Sequence, residues 1–228
     1  MPRHTPRTAA RRAVGLIALV LLAMPWAAAQ TGAQAQSRGT AGDFDYYVLA
    51  LSWQPSWCAS EGDSRDAPTC APGMTRGFTL HGLWPQYVDG WPEWCERVTR
   101  DPRRSETAAM TDIMGSGGLA WHQWKKHGRC TGLAPEQYFA LARRAWDQVT
   151  RPALLRQVDR VLTVSPDAVE EAFLEANPVL DATSVGVTCR DGRIAEVRIC
   201  LDRGLNPRPC SGPAARVCTR PARLPPMR

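Results

Sequence analysis

Two motifs that would assign a chemistry directly are missing from this sequence. It has no GxSxG motif, which disfavours a serine hydrolase, and no CxxC pair of the kind that zinc sites and redox centres use. It also lacks an N-x-S/T glycosylation acceptor and any internal repeat. Histidine is scarce, with four in 228 residues. A function therefore has to be inferred from a few residues in unusual positions.

The N-terminal region predicts an export signal. Met1–Arg12 contains four arginines and no acidic residue, Ala13–Met24 is almost wholly apolar, and small residues follow. The apolar run is too short to span a bilayer comfortably, which favours a signal peptide over a membrane anchor. We expect residues 1–35 to be a signal peptide, cleaved near residue 29 or 35, that directs the chain to the periplasm or out of the cell.

The basic net charge belongs largely to that signal. The formal charge of +6 arises from 28 basic and 22 acidic residues. Without the four arginines of Met1–Arg12, the 24 remaining basic residues leave a net charge of only +2. So small a surplus is no argument for a nucleic-acid partner, and any basic surface has to be local.

All eight cysteines follow the predicted signal, at Cys58, Cys70, Cys95, Cys130, Cys189, Cys200, Cys210 and Cys218. An even number of cysteines in an exported chain predicts a disulfide framework, although four disulfides allow 105 pairings. Pairing Cys189 with Cys200 is disfavoured. In a hairpin that turns at Asp191-Gly192, Cys189 faces residue 194, and the two cysteines lie about 20 Å apart along the strand.

The apolar pattern predicts one mixed domain. Strands are expected at Tyr46–Trp53, Gly77–Leu83, Ser184–Arg190 and Arg193–Leu201. Helices are expected at Ala134–Arg151 and from a Ser165 cap through Ala176. These elements favour an α+β fold, an antiparallel sheet packed with helices, over residues 46–219. A flexible leader at 36–45 and a loose tail at 220–228 complete the predicted organisation.

Three histidines remain once the signal is set aside, and all lie in motifs rich in tryptophan and glycine. His81 lies in FTLHGLWPQ, and His122 and His127 lie in WHQWKKHGRC. If Trp121–His127 is helical, successive residues turn by about 100°, so one face presents four polar side chains. These are His122, Gln123, Lys126 and His127. The helix thus predicts a cationic surface with no nearby carboxylate, which is suited to an anion.

Two other interpretations of these histidines are weaker. A lone histidine on a helix is more often exposed or packed than functional, but here all three lie in similar motifs. A zinc site would need ligands three or four residues apart on one helix face. His122 and His127 are five residues apart, and Lys126 between them would repel a metal ion.

Two histidines and a lysine suit the transfer of a phosphodiester to an internal 2′-hydroxyl. One imidazole removes the 2′ proton, the other protonates the departing 5′ oxygen, and cations stabilise the transition state. Imidazole suits both tasks because its ordinary pKa is about 6.5. Neither a metal nor another cofactor is required. RNA has this hydroxyl and DNA does not, so we expect single-stranded RNA as the partner and no cleavage of DNA.

Phe78–Gln86 and His122–Cys130 resemble the two active-site segments of the ribonuclease T2 family, secreted and largely base-nonspecific endoribonucleases. The resemblance extends from about Tyr46, through SWQPSWC, to the cysteines of VTC, VRIC and RVC. It implies cleavage of RNA through a 2′,3′-cyclic phosphate to a 3′-phosphate. We expect a monomer without a membrane anchor.

The resemblance also implies a role for each site residue. His127 is the base that takes the 2′ proton, and His81 is the acid that protonates the leaving oxygen. His122 binds the phosphate, Lys126 stabilises the charge of the transition state, and Trp84 lines the phosphate and base site.

Four neighbouring positions are less determined. Tyr87 and Trp91 are suited either to stacking a base or to packing within a loop. Gln123 stands where the family usually has a glutamate, so the pKa of the nearby imidazoles and the rate are expected to fall. This departure leaves open a catalytically weak or inactive relative that binds RNA or an extracellular partner. Gln86 replaces an acidic residue of some members, so no base preference is transferred.

The resemblance finally implies four disulfides: Cys58 with Cys70, Cys95 with Cys130, Cys189 with Cys218, and Cys200 with Cys210. The Cys95 bridge would join the loop after His81 to the end of the helix that carries His127. A third interpretation, a disulfide-stabilised interaction module with incidental histidines, also stays open.

Overall fold

The computed structural model describes residues 39–74 and 76–228, together with Met1. The predicted signal peptide after Met1 and residues 36–38 of the predicted leader therefore lie outside the described residues. From residue 39 onward, the described residues belong to one compact unit. Its strands are β1 (Tyr46–Trp53), β2 (Phe78–Gln86), β3 (Leu162–Val164), β4 (Val185–Arg190), β5 (Arg193–Leu201) and β6 (Ala222–Leu224). Its α-helices are α1 (Gln54–Trp57), α2 (Arg104–Ala108), α3 (Thr111–Met114), α4 (Gly117–Lys126), α5 (Pro135–Asp147) and α6 (Pro166–Ala176).

The six strands form one sheet. Its main path is β2-β1-β5-β6-β3, and β4 pairs with β5. All pairings are antiparallel except that of β5 with β6, which is parallel at Arg193 and Arg223. The predicted α+β fold is confirmed, and the predicted antiparallel sheet is corrected at this single pairing. Among the described helices, none has the length and apolar content that crossing a membrane requires.

The two faces of strand β1 differ, because one packs in the hydrophobic core and the other carries small residues. Leu49, Leu51 and Trp53 are fully buried in the main core. The alternate positions include the small residues Ala50 and Ser52. Because β1 lies between β2 and β5, these small residues leave room for longer side chains of the two neighbouring strands to meet above it.

Strand β2 contains a β-bulge at His81. The pairing with β1 passes over His81, which is the extra residue between Leu80 and Gly82. A regular strand alternates and would place His81 and Leu83 on the same face. Instead Leu80 and Leu83 are both fully buried in the core, whereas His81 and Trp84 are half-buried on the other side. The bulge thus redirects two side chains to one cleft.

Helices α5 and α6 confirm two predicted elements, with one change of length. Helix α6 starts after the predicted Ser165 cap, whose hydroxyl accepts a hydrogen bond from the first turn. Helix α5 ends at Asp147 and not at Arg151. The backbone of Thr150 is hydrogen-bonded to the side chain of Asn177 at 2.7 and 2.9 Å, and these bonds replace a further helical turn.

The C-terminal segment is not a loose tail, so that prediction was wrong. Strand β6 pairs with β3, and Leu224 is fully buried in the core. The indole of Trp53 donates a hydrogen bond to the carbonyl of Pro225 at 2.9 Å, and Arg228 forms a salt bridge with Asp63 at 2.5 Å. The strand is only three residues long and lies between prolines, which hides it from an apolar pattern.

Four disulfides cross-link this fold, and they join the pairs that the resemblance implies: Cys58–Cys70, Cys95–Cys130, Cys189–Cys218 and Cys200–Cys210. In the hairpin of β4 and β5, Cys189 lies opposite Ile194, as the turn at Asp191-Gly192 requires. The turn residues Asp191 and Gly192 both have positive φ angles, which is the geometry of a two-residue hairpin turn.

Candidate active site

One cleft of about 240 Å³ is lined by seven of the eight predicted catalytic and substrate-binding residues: His81, Trp84, Trp91, His122, Gln123, Lys126 and His127. The eighth, Tyr87, is half-buried and packs against the core. Two walls form the cleft. Strand β2 supplies His81 and Trp84, and helix α4 with the residue after it supplies the other histidines and the lysine. A second cavity of about 480 Å³ shares His81 and His122 with this cleft.

Helix α4 places its polar side chains in the cleft because its apolar ones are needed in the core. The hydroxyl of Ser116 caps the first turn by accepting a hydrogen bond from the Leu119 backbone at 3.1 Å. Ala120 and Trp124 are fully buried in the core. His122 is exposed and Lys126 is half-buried, and both line the cleft.

The end of helix α4 is tightly held. His127 is the C-cap residue, and its backbone N–H donates to the carbonyl of Gln123 at 2.9 Å. A side chain on Gly128 would lie 2.6 Å from the ring of Trp124, so glycine is required here for close packing. The Cys95–Cys130 disulfide ties the same turn to the loop after β2.

His127 is the most enclosed of the three histidines. It is only 5% exposed, and its ring stacks on that of Trp84 with centroids 5.1 Å apart. Burial lowers the pKa of His127 well below its ordinary value, and the charges of Lys126, His81 and His122 lower it further. Its Nδ1 atom is buried and has no hydrogen-bond partner among the described residues. These effects favour the neutral imidazole of His127, whose lone pair can accept a proton.

His122 lies between the cleft and the second cavity. Burial lowers its pKa, as do the charges of Lys126, Lys125 and His81. The ring of Trp94 meets it edge-on at 5.6 Å. Trp94 has a φ angle of 53°, an uncommon conformation for a bulky residue.

His81 has a different environment, with a carboxylate partner. Its Nδ1 atom lies 2.5 Å from the carboxylate of Glu196 on β5. Arg198 donates two hydrogen bonds to the other carboxylate oxygen, at 2.9 and 3.0 Å. Burial raises the pKa of Glu196, but the hydrogen bond and charge of His81 and the charge of Arg198 outweigh it and bring the pKa to about 2. Glu196 is thus ionised and accepts a hydrogen bond from Nδ1 of His81.

Lys126 also has a carboxylate neighbour, which corrects the expectation of a cationic surface without one. Its ammonium group lies 3.4 Å from a carboxylate oxygen of Glu93, and the indole of Trp91 donates to the same oxygen at 3.2 Å. Glu93 is only 3% exposed, and its second oxygen has no partner among the residues that the structure covers. One carboxylate therefore holds both Lys126 and Trp91.

Gln123 joins the two walls of the cleft. Its side-chain oxygen accepts a hydrogen bond from the indole of Trp84 at 2.7 Å. Gly82 makes this contact possible, because a side chain there would lie 2.4 Å from the Trp84 nitrogen and 2.5 Å from the Gln123 oxygen. Gln123 thus fixes Trp84, the residue on which His127 stacks.

Sequence reasoning missed Glu93, Glu196 and Arg198. A signal existed for two of them. After Arg193 at its start, β5 is apolar except for Glu196 and Arg198, which lie at alternate positions and so share one face of a central strand. For Glu93 the sequence offers only its position between two tryptophans.

Residues 44–210 match the sequence model of the Ribonuclease T2 family. A ribonuclease of Aeromonas hydrophila is 40% identical over 127 residues, which cover 56% of this chain and 54% of that protein. Ribonuclease DdI of Dictyostelium discoideum is 25% identical over 206 residues, which cover 85% of this chain and 88% of that protein. The match thus spans about half the length of the Aeromonas hydrophila relative.

Solved structures show the same fold. The RNase-related protein from Calystegia sepium superposes with a TM-score of 0.64 at 21% identity, covering 82% of this chain and 99% of that one. The structure of RNase NT in complex with 5′-AMP gives a TM-score of 0.59 at 23% identity, covering 81% of this chain and 100% of that one. These likenesses establish the fold.

Proposed function

The chain belongs to the ribonuclease T2 family, and from this premise we propose that it is an endoribonuclease that cleaves single-stranded RNA with little base specificity. The proposal rests on the different environments of the two histidines that face each other across the cleft. On one wall, burial lowers the pKa of His127 and favours its neutral form, and on the other wall Nδ1 of His81 donates a hydrogen bond to the carboxylate of Glu196. Both face the same 240 Å³ space.

In the first step, the RNA's own 2′-hydroxyl attacks the adjacent phosphorus. His127 accepts the 2′ proton as the new bond to phosphorus forms. The bond from phosphorus to the 5′ oxygen breaks, and His81 donates a proton to that oxygen. The products are a 2′,3′-cyclic phosphate and a free 5′-hydroxyl. His122 and Lys126 hold the phosphate, whose negative charge is largest in the transition state.

In the second step, water opens the cyclic phosphate. His81, now neutral, takes a proton from the water as it attacks phosphorus. His127, now protonated, returns a proton to the 2′ oxygen, which leaves a 3′-phosphate. Both histidines are restored to their starting protonation states, and the proposed steps require neither a metal nor a cofactor.

Aromatic side chains of the cleft supply a binding site for a base. Trp91 is 41% exposed and lines the cleft, and Trp84 lies between the two catalytic histidines. Stacking tolerates any base because every base has a π face. The position of Tyr87 favours its packing role over base stacking. Export to the periplasm or outside the cell, and the monomeric state, remain predictions.

The test is cleavage of single-stranded RNA in EDTA by the chain without residues 1–35, beside His81→Ala and His127→Ala. We expect the parent to cleave in EDTA, with 2′,3′-cyclic phosphate appearing before 3′-phosphate. Each substitution should slow cleavage by about 10²- to 10⁴-fold, because each removes one proton-transfer group.

One alternative has a specific observation behind it. Gln123 replaces the usual glutamate, which is compatible with an inactive, RNA-binding relative. Binding of RNA without cleavage at any pH from about 4 to 9, a range that brackets the titration of imidazole, would establish that alternative. Loss of cleavage in EDTA would instead establish a metal-dependent reaction.

A further inference from the structure

We propose that Glu196, itself oriented by Arg198, is a positioning residue that fixes the ring and the tautomer of His81 for proton transfer. The inference rests on the ribonuclease activity proposed above. It assigns a role in this site to strand β5, which lies outside both motifs that carry the resemblance.

The geometry around Glu196 leaves its carboxylate one orientation. One oxygen lies 2.5 Å from Nδ1 of His81 and 3.5 Å from the hydroxyl of Ser52. The other oxygen accepts both hydrogen bonds of Arg198. Two opposed partners therefore hold the two oxygens apart, and the carboxylate cannot rotate without breaking one set of bonds.

The fold brings these side chains together from strands that are not adjacent. His81 lies on β2 and Glu196 on β5, with β1 between them. Ser52 on β1 pairs with Glu196, and Ala50 pairs with Arg198. Because both β1 residues are small, the histidine and the glutamate meet above them. A larger residue at Ser52 would separate them.

This contact selects the protonation state that the reaction needs. An ionised carboxylate only accepts hydrogen bonds, so Nδ1 of His81 must carry a proton. The proton available to the leaving oxygen is then the one on Nε2. After that proton is transferred, Nε2 is left with a lone pair, ready to take a proton from water. One fixed tautomer thus serves both steps.

The substitution Glu196→Gln changes which tautomer of His81 is favoured, while the size of the side chain at position 196 stays nearly the same. Arg198 can only donate, so it claims the amide oxygen of the new glutamine. The amide NH₂ then faces Nδ1 of His81 and selects the tautomer with its proton on Nε2. It also opposes the doubly protonated ring, which has a second N–H at Nδ1.

The test compares two substrates that differ in their leaving group. The 5′ oxygen of a ribodinucleotide needs a proton to leave, whereas 4-nitrophenolate leaves without one from a nucleoside 3′-(4-nitrophenyl) phosphate. We expect Glu196→Gln to lower kcat on the dinucleotide about 10- to 100-fold, part of what a proton-transfer group contributes. KM should change little, and kcat on the nitrophenyl ester should fall less than about threefold because no acid is needed. Glu196→Asp, which keeps the charge, should recover part of the loss.

A matched control is Glu170→Gln on α6. Glu170 accepts a hydrogen bond from the Val187 backbone at 2.9 Å, and this change should leave both substrates unaffected. ¹⁵N shifts of the His81 ring give a readout without turnover. We expect a proton on Nδ1 in the parent and on Nε2 in Glu196→Gln at a pH where the ring is neutral.

The outcomes separate this inference from the proposed function. A parent that cleaves neither substrate overturns the ribonuclease itself. A parent that cleaves both, with Glu196→Gln slowed equally on both or on neither, overturns only the positioning role. An unchanged His81 tautomer in Glu196→Gln does the same.

Discussion

The two walls of the cleft treat the same side chain in opposite ways. On the helical wall, His127 is 5% exposed, and its Nδ1 atom has no partner among the described residues. On the sheet wall, the side chain of His81 is 34% exposed, and its Nδ1 atom is bound to a carboxylate. Burial without a partner favours the neutral ring of His127, whereas the carboxylate of Glu196 accepts a hydrogen bond from Nδ1 of His81.

This contrast supports the proposed division of the acid and base roles between the two histidines. Groups whose environments differ are the ones that take opposite roles in proton transfer. Here burial beside the helix favours the neutral form of His127, and on the sheet a carboxylate fixes the orientation of the His81 ring. Substitutions can test this difference at three places. These are the contact between the two walls at Gly82, Trp84 and Gln123, which we call the seam, the binding site for the base, and either histidine.

The largest effect is expected at the seam. Gly82→Ala would place a methyl group 2.4 Å from the Trp84 nitrogen and 2.5 Å from the Gln123 oxygen. Overpacking of this kind costs about 1–3 kcal/mol, so denaturant unfolding should show a loss in that range together with slower RNA cleavage. Gly118→Ala is the control, since its new methyl group would meet nothing closer than 3.8 Å. Equal stability for Gly82→Ala and the parent would contradict the packing described for the seam.

A smaller effect is expected in the binding site. Trp91→Ala should raise KM for RNA by about 5- to 100-fold, because a stacked base contributes about 1–3 kcal/mol. Tyr87→Phe should leave KM unchanged, since Tyr87 packs against the core. Initial rates over a range of RNA concentrations measure both. An unchanged KM in Trp91→Ala would contradict base stacking at Trp91.

The burial of His127 also predicts a pH dependence of stability. Its pKa is lowered in the folded protein, so below about pH 6.5 the unfolded chain binds a proton that the folded one does not. The free energy of unfolding should therefore fall as pH drops from about 6.5 toward the lowered pKa. His122 adds a contribution of the same sign. His127→Gln should show a shallower fall than the parent over the same range. Parallel curves would mean that the pKa of His127 is not lowered.

The smallest effect is expected at Gln123. Gln123→Glu adds a carboxylate beside the stacked Trp84 and His127, which favours the protonated imidazole. The acidic limb of the pH–rate profile should move to higher pH by about one unit, equivalent to roughly 1.4 kcal/mol. A higher rate at the optimum is expected as well. Identical profiles for the two proteins would remove any catalytic significance from this position.

Much of the fold could be predicted from the sequence because its longer strands and helices have regular patterns of apolar residues. The strand bounds Tyr46–Trp53 and Arg193–Leu201 and the helix after Ser165 agree with the structure. Strand β6 was missed because three residues between two prolines are too few to show the apolar alternation of a strand. The bulge at His81 was also invisible, since it depends on how β2 registers with β1.

The candidate site divides in the same way. Residues within the two motifs were found because each motif is dense in unusual side chains. Glu93, Glu196 and Arg198 were not, because they reach the site by crossing strands or loops. Glu196 is 115 residues from His81 along the chain, and only the sheet order makes them neighbours. Such a contact cannot be predicted from the spacing of residues along the chain.

The most direct test of the division between the walls is the leaving-group dependence of His81→Ala and His127→Ala. Rates are measured on the ribodinucleotide and on the nitrophenyl ester. His127→Ala should slow both reactions about 10²- to 10⁴-fold, because both need the 2′ proton removed. His81→Ala should slow the dinucleotide by a similar factor and leave the ester nearly unaffected. Equal losses for both variants on both substrates would contradict the assignment of base to the helix and acid to the sheet.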